Sequence, residues 1–225
     1  KTGTKEEFRN MLKSFRVTAY FKGVDLKKVI SFDKVTIFPQ AAGAVYSSIM
    51  DNLTSYLIQG SYLGLIDIGF RTTDIISFMV EDTLILREDL SFTLDFGMSN
   101  LNSAADKLFT KKTGSKLDLP ELMRMVSTGK IFYKGEEWNF TNELNACKSE
   151  LARVIKDRVK SVWGNKLNFY NTVFLAGGGA KELYENLKDI HSHTVLTKDA
   201  RFANANGFLK VAELEAKKSE RRGIA

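Results

Sequence analysis

Leu65-Ile-Asp-Ile-Gly-Phe-Arg-Thr-Thr-Asp74 carries the reading of this chain. An apolar run ends in an acid, turns through Gly69 and returns through hydroxyl residues into a second apolar run, the pattern of a tight hairpin. Such a turn presents backbone N–H groups and threonine hydroxyls to a phosphate, and Asp67 is placed to hold a hydrated divalent cation. The same residues also suit an ordinary hairpin in which Asp67 and the threonines satisfy their own backbone. Acid-Gly-Thr patterns arise often by chance, so the stretch gains weight only from its surroundings.

Around it the chain reads as three strands in succession, Tyr62–Ile68, Asp74–Val80 and Thr83–Phe96, the last long enough to include a bend. Their short turns make an antiparallel meander. Helices follow over Met98–Phe109 and Leu119–Ser127, then a strand-like pair near Ile131–Tyr133 and Trp138–Phe140. A long amphipathic helix, Thr141–Val162, carries the stripe Leu144, Cys147, Leu151, Val154, Ile155 and Val162. Upstream, Glu6–Phe15 places Phe8, Met11, Leu12 and Phe15 on one helical face ahead of a hairpin from Val17. Lys34–Phe38 reads as a strand into Pro39, and Ala41–Met50 as a helix whose small residues allow close packing.

A second loop completes the pattern. Asn171–Ala176 is a short apolar strand, Gly177-Gly-Gly179 follows, and Lys181–Leu187 continues as a helix. Glycines between strand and helix let the backbone approach a ligand and aim a helix N-terminus at it. The stretch is neither a Walker loop nor a dinucleotide fingerprint, and taken alone it is also an ordinary Gly-rich turn. Two ligand-capable loops at strand ends, about a hundred residues apart, suit one phosphate-bearing ligand. A last strand, Thr194–Leu196, precedes a terminal helix. The order predicts an α/β fold whose sheet is antiparallel on one side and parallel on the other.

Composition narrows the classes. With 225 residues, 44% of them hydrophobic, the chain can bury a real core. Cys147 is its one cysteine, so no internal disulfide forms, and with only His191 and His193 beside it a four-ligand zinc site cannot close. The net charge of +6 would suit nucleic acid, but the positive residues are scattered and mixed with acids, which reads as solvated surface. No apolar run is long enough for a membrane span and no signal segment is visible, so a reducing, cytoplasmic setting without direct membrane contact is expected.

Four stretches in order give a family resemblance: Phe38-Pro-Gln-Ala-Ala-Gly-Ala44, Asp67-Ile-Gly-Phe-Arg-Thr-Thr-Asp74, Ala176-Gly-Gly-Gly-Ala180 and Arg201-Phe-Ala-Asn-Ala-Asn-Gly-Phe208. Together they resemble the bacterial actin-like ATPases of the plasmid-segregation type and their archaeal relatives, over roughly Val29 to Leu214. The resemblance implies the actin-like (ribonuclease H-like) fold, with a mixed five-stranded sheet, flanking helices and a small inserted subdomain. It implies ATP and Mg2+ as cofactors, and filaments that lengthen with ATP, fall apart after hydrolysis and move or position plasmid DNA through an adaptor protein. Carried over by position, Asp67 would bind the hydrated Mg2+ and act in catalysis. Gly69, Phe70, Arg71, Thr72 and Thr73 would face the β- and γ-phosphates. Gly177, Gly178 and Gly179 would lie against the adenosine and α-phosphate. Gln40 would orient the attacking water, which an amide can do because it both donates and accepts hydrogen bonds.

The resemblance divides the chain into a remnant of a first lobe over 1–38, a connecting helix over 39–50, a nucleotide-binding core over 51–118 and 141–200, a small subdomain over 119–140, and a second connecting helix with a basic tail over 201–225. Family members have a first phosphate loop that nothing before Phe38 supplies. Since the chain also opens on Lys1, we expect a second lobe with the end of the first, binding ATP weakly by itself. Two other readings share the loops: a small-molecule kinase of the same superfamily, which would need a carboxylate base that does not stand out, and a non-catalytic actin-like scaffold.

Overall fold

The computed structural model describes residues 2–20, 23, 27–32, 34–38, 40–50 and 52–223, with the side chains of 2 and 218–223 left aside. It forms two compact units, Lys1–Gln40 and Ala41–Ala225. The first holds α1 (Thr2–Ser14) and an antiparallel hairpin of β1 (Arg16–Tyr20) with β2 (Lys27–Ser31), in register Arg16↔Ser31 through Tyr20↔Lys27. The apolar face expected of its helix exists but is open: Phe8, Met11 and Phe15 are each nearly half exposed. Residues 34–38 join no strand pair among the described residues, which corrects the expected strand there, while Phe21 and Pro39 lie outside the described residues.

In the second unit, α2 (Ala42–Ile49) and the one-turn α3 (Leu53–Tyr56) lead into β3 (Tyr62–Ile68), every residue of which is buried. β4 (Thr73–Val80) returns antiparallel, pairing Asp67 with Asp74 and Ile68 with Thr73. The expected single strand over Thr83–Phe96 is instead two, β5 (Leu84–Leu86) and β6 (Phe92–Leu94), parted by a 3-10 turn at Glu88–Leu90, and both pair with β4. Ser91 holds that break: its hydroxyl donates to Arg87 O at 2.7 Å and accepts Ser77 N–H at 3.0 Å.

Helices α4 (Met98–Thr113) and α5 (Leu119–Thr128) follow, each ended by a glycine in the left-handed region, then the hairpin β7 (Lys130–Tyr133) and β8 (Glu136–Asn139). Next are α6 (Thr141–Trp163), β9 (Tyr170–Ala176), α7 (Ala180–Leu187), β10 (Thr194–Leu196) and α8 (Ala203–Gly223). The sheet runs β10-β9-β3-β4-β5 with β6 also on β4. Its β10-β9-β3 side is parallel and the rest antiparallel, as the order of elements predicts.

The strand period of two sorts the core. Ile66, Ile68, Val173 and Leu175 face α4, α6 and α7, through Leu101, Phe109, Leu151, Ile155 and Leu183. Leu63, Leu65, Phe174 and Ala176 face the opposite way, toward Ala42, Ala44, Val45 and Ile49 of α2 and Ala203 of α8. Each such Leu, Ile or Val contributes about 1.5–3 kcal/mol on burial. Trp163 closes the first core, stacked on Tyr170 with ring centroids 4.3 Å apart and donating its indole N–H to Leu90 O at 2.9 Å. Tyr133 and Phe140 pack with Phe109 of α4 and Trp138 packs on both of them, while Phe132 points out.

α2 and α8 cross at unusually short range. A Cβ on Gly207 would collide with the Gly43 carbonyl oxygen, and one on Gly43 with Asn204 O. Glycine at 43 and at 207 is therefore a steric requirement of the crossing.

Candidate functional site

The geometry of two adjacent parallel strands builds the site. β3 and β9 end side by side, Asp67 opposite Ala176, so the loops that leave them sit together. Gly179 N–H donates to Ile68 O at 3.0 Å, and Gly177 N–H to Ala200 O at 2.9 Å, which fixes the glycine turn between the end of β3 and the 3-10 turn, Ala200–Phe202, that precedes α8. Gly177 has φ +88°, a conformation that costs little only for glycine, and a Cβ there would run into Asp67 Oδ1 and Ile68 O. Gly179 packs against Ile68 and Met98, whereas Gly178 is exposed with open space where its side chain would be.

The hairpin turn is held from behind. Gly69 N–H donates to Thr72 O at 2.9 Å, while Met98 N–H and Ser99 N–H at the start of α4 donate to Gly69 O at 3.1 Å and Phe70 O at 2.7 Å. These helix N–H groups are thereby committed to the turn. Thr73 is fully buried and its hydroxyl donates to Phe96 O at 2.7 Å, so this side chain braces the hairpin from inside. Phe70 and Arg71 are exposed at the tip, and Arg71 makes no hydrogen bond or ion pair among the described residues. Gln40 is exposed at the end of the first unit, two residues ahead of α2.

Asp67 is the electrostatic centre. Its side chain lies on the α2/α8 face of the sheet and is 9% exposed. Asn204 Nδ2 donates to Asp67 Oδ2 at 2.7 Å, and Asn204 Oδ1 accepts the Ala44 N–H at 2.9 Å. Asp74, directly across the strand pair, accepts a hydrogen bond from Thr93 Oγ1 at 2.6 Å. Burial raises the Asp67 pKa above the ordinary carboxylate value, the Asn204 hydrogen bond pulls it back, and the Asp74 charge raises it further.

Because the folded pKa is raised, the associated stability is present below the unfolded value of about 4 and is lost as pH climbs through the folded one. Asp67→Asn keeps an oxygen for Asn204 and removes the buried charge. In the ligand-free protein it is expected to raise the melting temperature at pH 7 and leave it unchanged near pH 3, as read by calorimetry across that range. A lower melting temperature at pH 7 would show that Asp67 is comfortable as an anion.

Asn204 was not among the site residues expected from sequence. The available signal was two asparagines, Asn204 and Asn206, inside a helical run beside Gly207, a type that helices favour only when the side chain has a partner. His191 and His193 are joined to each other, His193 N–H donating to His191 Nδ1 at 3.1 Å, and among the described residues no cluster of three metal-ligating side chains forms.

Residues 65–189, more than half of the chain, match the model of the C-terminal part of the archaeal MreB-like actin homologues. The chain belongs to this actin-homologue family. A subunit of a 15-stranded ParM filament from Clostridium botulinum superposes on this actin homologue with a TM-score of 0.81 and 36% identity, over 95% of this chain and 63% of that one. An archaeal actin homolog solved in complex with ADP shares its fold, with a TM-score of 0.78, 21% identity, and coverage of 93% and 67%. The archaeal actin homolog of Thermoplasma acidophilum is 24% identical over 178 residues, 78% of this chain and 53% of the relative. This actin homologue thus spans about half the length of that curated relative.

Proposed function

We propose that this chain is the nucleotide-binding lobe of an ATP-dependent, filament-forming actin homologue whose polymers move or position plasmid or other DNA through an adaptor protein. The observation that carries the reading is the Asp67 carboxylate set between two backbone turns, 69–72 and 177–179, at the ends of neighbouring strands. The filament reported for the Clostridium botulinum ParM and the ADP held by the archaeal homolog support it. Residues 1–38 would belong to the first lobe, and 119–140 to a small subdomain beside the base.

The residues fit a Mg2+ nucleotide. A buried carboxylate whose charged form is disfavoured gains most from a cation beside it, and Gly178 leaves room that a side chain would fill. Mg2+-ATP, when bound, would supply the phosphoanhydride and the positive charge. Asp67 would hold the hydrated cation, the turn from Gly69 to Thr72 would face the β- and γ-phosphates with the N–H groups of Phe70 to Thr72, and Gly177 to Gly179 would lie against the adenosine and α-phosphate. Thr73 would act by keeping the hairpin in shape, and Gln40 would orient the attacking water.

High-speed pelleting of the full-length protein tests the filament reading: polymer is expected with ATP and not with ADP. Equal pelleting with both, or with neither, would leave a kinase or scaffold as the better account. In the same protein Gln40→Ala is expected to leave nucleotide affinity nearly intact and to slow hydrolysis by at least about tenfold, ~1.4 kcal/mol in the barrier. Hydrolysis at the unaltered rate in a phosphate-release assay would remove Gln40 from its role.

A further inference from the structure

Asn204, near the start of α8, has its side-chain amide bonded at both ends, to Asp67 Oδ2 and to the Ala44 N–H. Ala44 is the third residue of α2, and the amides of a first helical turn have no partner within their own helix. Such groups are usually met by a Ser, Thr, Asp or Asn at the position before the helix. Here that position is Ala41, which makes no side-chain cap, and the cap arrives from α8 instead. One planar amide therefore joins the acid at the end of β3, the first turn of α2 and α8. Its oxygen and nitrogen are fixed in one plane, so a shift at either partner is felt by the other.

We propose that Asn204 is a positioning residue that couples cation occupancy at Asp67 to the first turn of α2. This rests on the reading of Asp67 as the cation-facing acid of a nucleotide site. Water on a divalent cation would donate to the Asp67 carboxylate and draw on its charge, weakening the hydrogen bond from Asn204. Held then mainly at its Ala44 end, the amide loses orientation and the cap on α2 loosens. Linkage makes the effect reciprocal: whatever separates α2 from Asn204 strengthens cation binding by the same factor. Gln40 stands two residues before α2, so the coupled turn adjoins in sequence the residue assigned to the attacking water. Coupling of this kind makes the α2–α8 crossing a reporter of whether the cation is present.

Amide hydrogen exchange on the full-length protein with ADP, in EDTA or in Mg2+, reads the coupling directly. Exchange at Ala44 is expected to accelerate by about tenfold when Mg2+ replaces EDTA, with the amides of α6 unchanged. An unchanged Ala44 overturns the proposal, and since this measurement uses the unaltered protein it decides the matter even if a variant fails to fold. In Asn204→Ala, the ratio of ADP affinities with and without Mg2+ is expected to rise by about tenfold while the Mg2+-free affinity holds. An equal loss of both affinities would mark Asn204 as merely structural and overturn the coupling. Failure of the unaltered protein to bind ADP in either buffer would refute the nucleotide reading itself, and the coupling with it.

Discussion

Gly207→Ala is expected to lower the melting temperature of this protein by roughly 10 °C, about 3 kcal/mol, although the same change in most helices stabilises by about 1 kcal/mol. The reversal of sign comes from α8 lying on α2 with Gly207 against the backbone of Gly43, where an added Cβ would meet a carbonyl oxygen rather than a side chain that could swing away. Relief requires the two helices to separate, which opens the core formed by Ala42, Val45, Ile49, Leu63 and Leu65. It also draws Asn204 from Asp67 and from Ala44, leaving a buried carboxylate and a helix amide without their partners. Thermal unfolding followed by circular dichroism checks the value. A neutral or stabilising Gly207→Ala would show that the helices do not cross at this spacing.

The second large effect separates two adjacent glycines. Gly177→Ala is expected to cost about 3 kcal/mol of stability, because the left-handed backbone and the collision with Asp67 Oδ1 and Ile68 O act together. Gly178→Ala should change stability by less than about 0.5 kcal/mol, since its side chain would enter open space. If a nucleotide lies on this turn, that same methyl competes with it. Gly178→Val is then expected to weaken Mg2+-ADP binding by about 100-fold, ~2.7 kcal/mol, in a protein of near-normal melting temperature. Unaltered ADP affinity in Gly178→Val, read by calorimetric titration, would move the ligand elsewhere. An unimpaired Gly177→Ala would contradict the turn geometry.

Much of the fold was legible because local patterns agreed with one another. The apolar runs of β3 and β9, the stripe of α6 and the glycine turn each specified an element, and their order left few sheets to choose from. Two features were not legible. Thr83–Phe96 has enough apolar residues for one bent strand, and its interruption depends on Ser91 bonding Arg87 O and Ser77 N–H, a contact between strands that periodicity does not record. Residues 34–38 alternate like a strand yet pair with nothing among the described residues, since alternation shows compatibility with a sheet and not the presence of a neighbour.

The site divides in the same way. Asp67 and the glycines announce themselves by residue type at strand ends, whereas Thr73, read as phosphate-facing, has its hydroxyl on Phe96 O. Which way a hydroxyl points depends on what lies behind the strand, and here that is the approach to α4, distant in sequence. Asn204 stands within a landmark segment, yet its role is not legible there because its two partners lie 137 and 160 residues away.

That distance bears on how the protein is made. An eight-residue helix is unstable by itself, and α2 has neither a capping residue of its own nor, until α8 exists, the surface on which Gly43 closes. At synthesis rates of about 5–20 residues per second, some 160 residues of further chain take roughly 10–30 s to emerge. During that interval Leu63 and Leu65 of the central strand lack one wall of their core. The nascent protein therefore passes through a stage with its sheet started and one face bare, when chaperones have the most to hold and when Asp67 has yet to receive its amide partner.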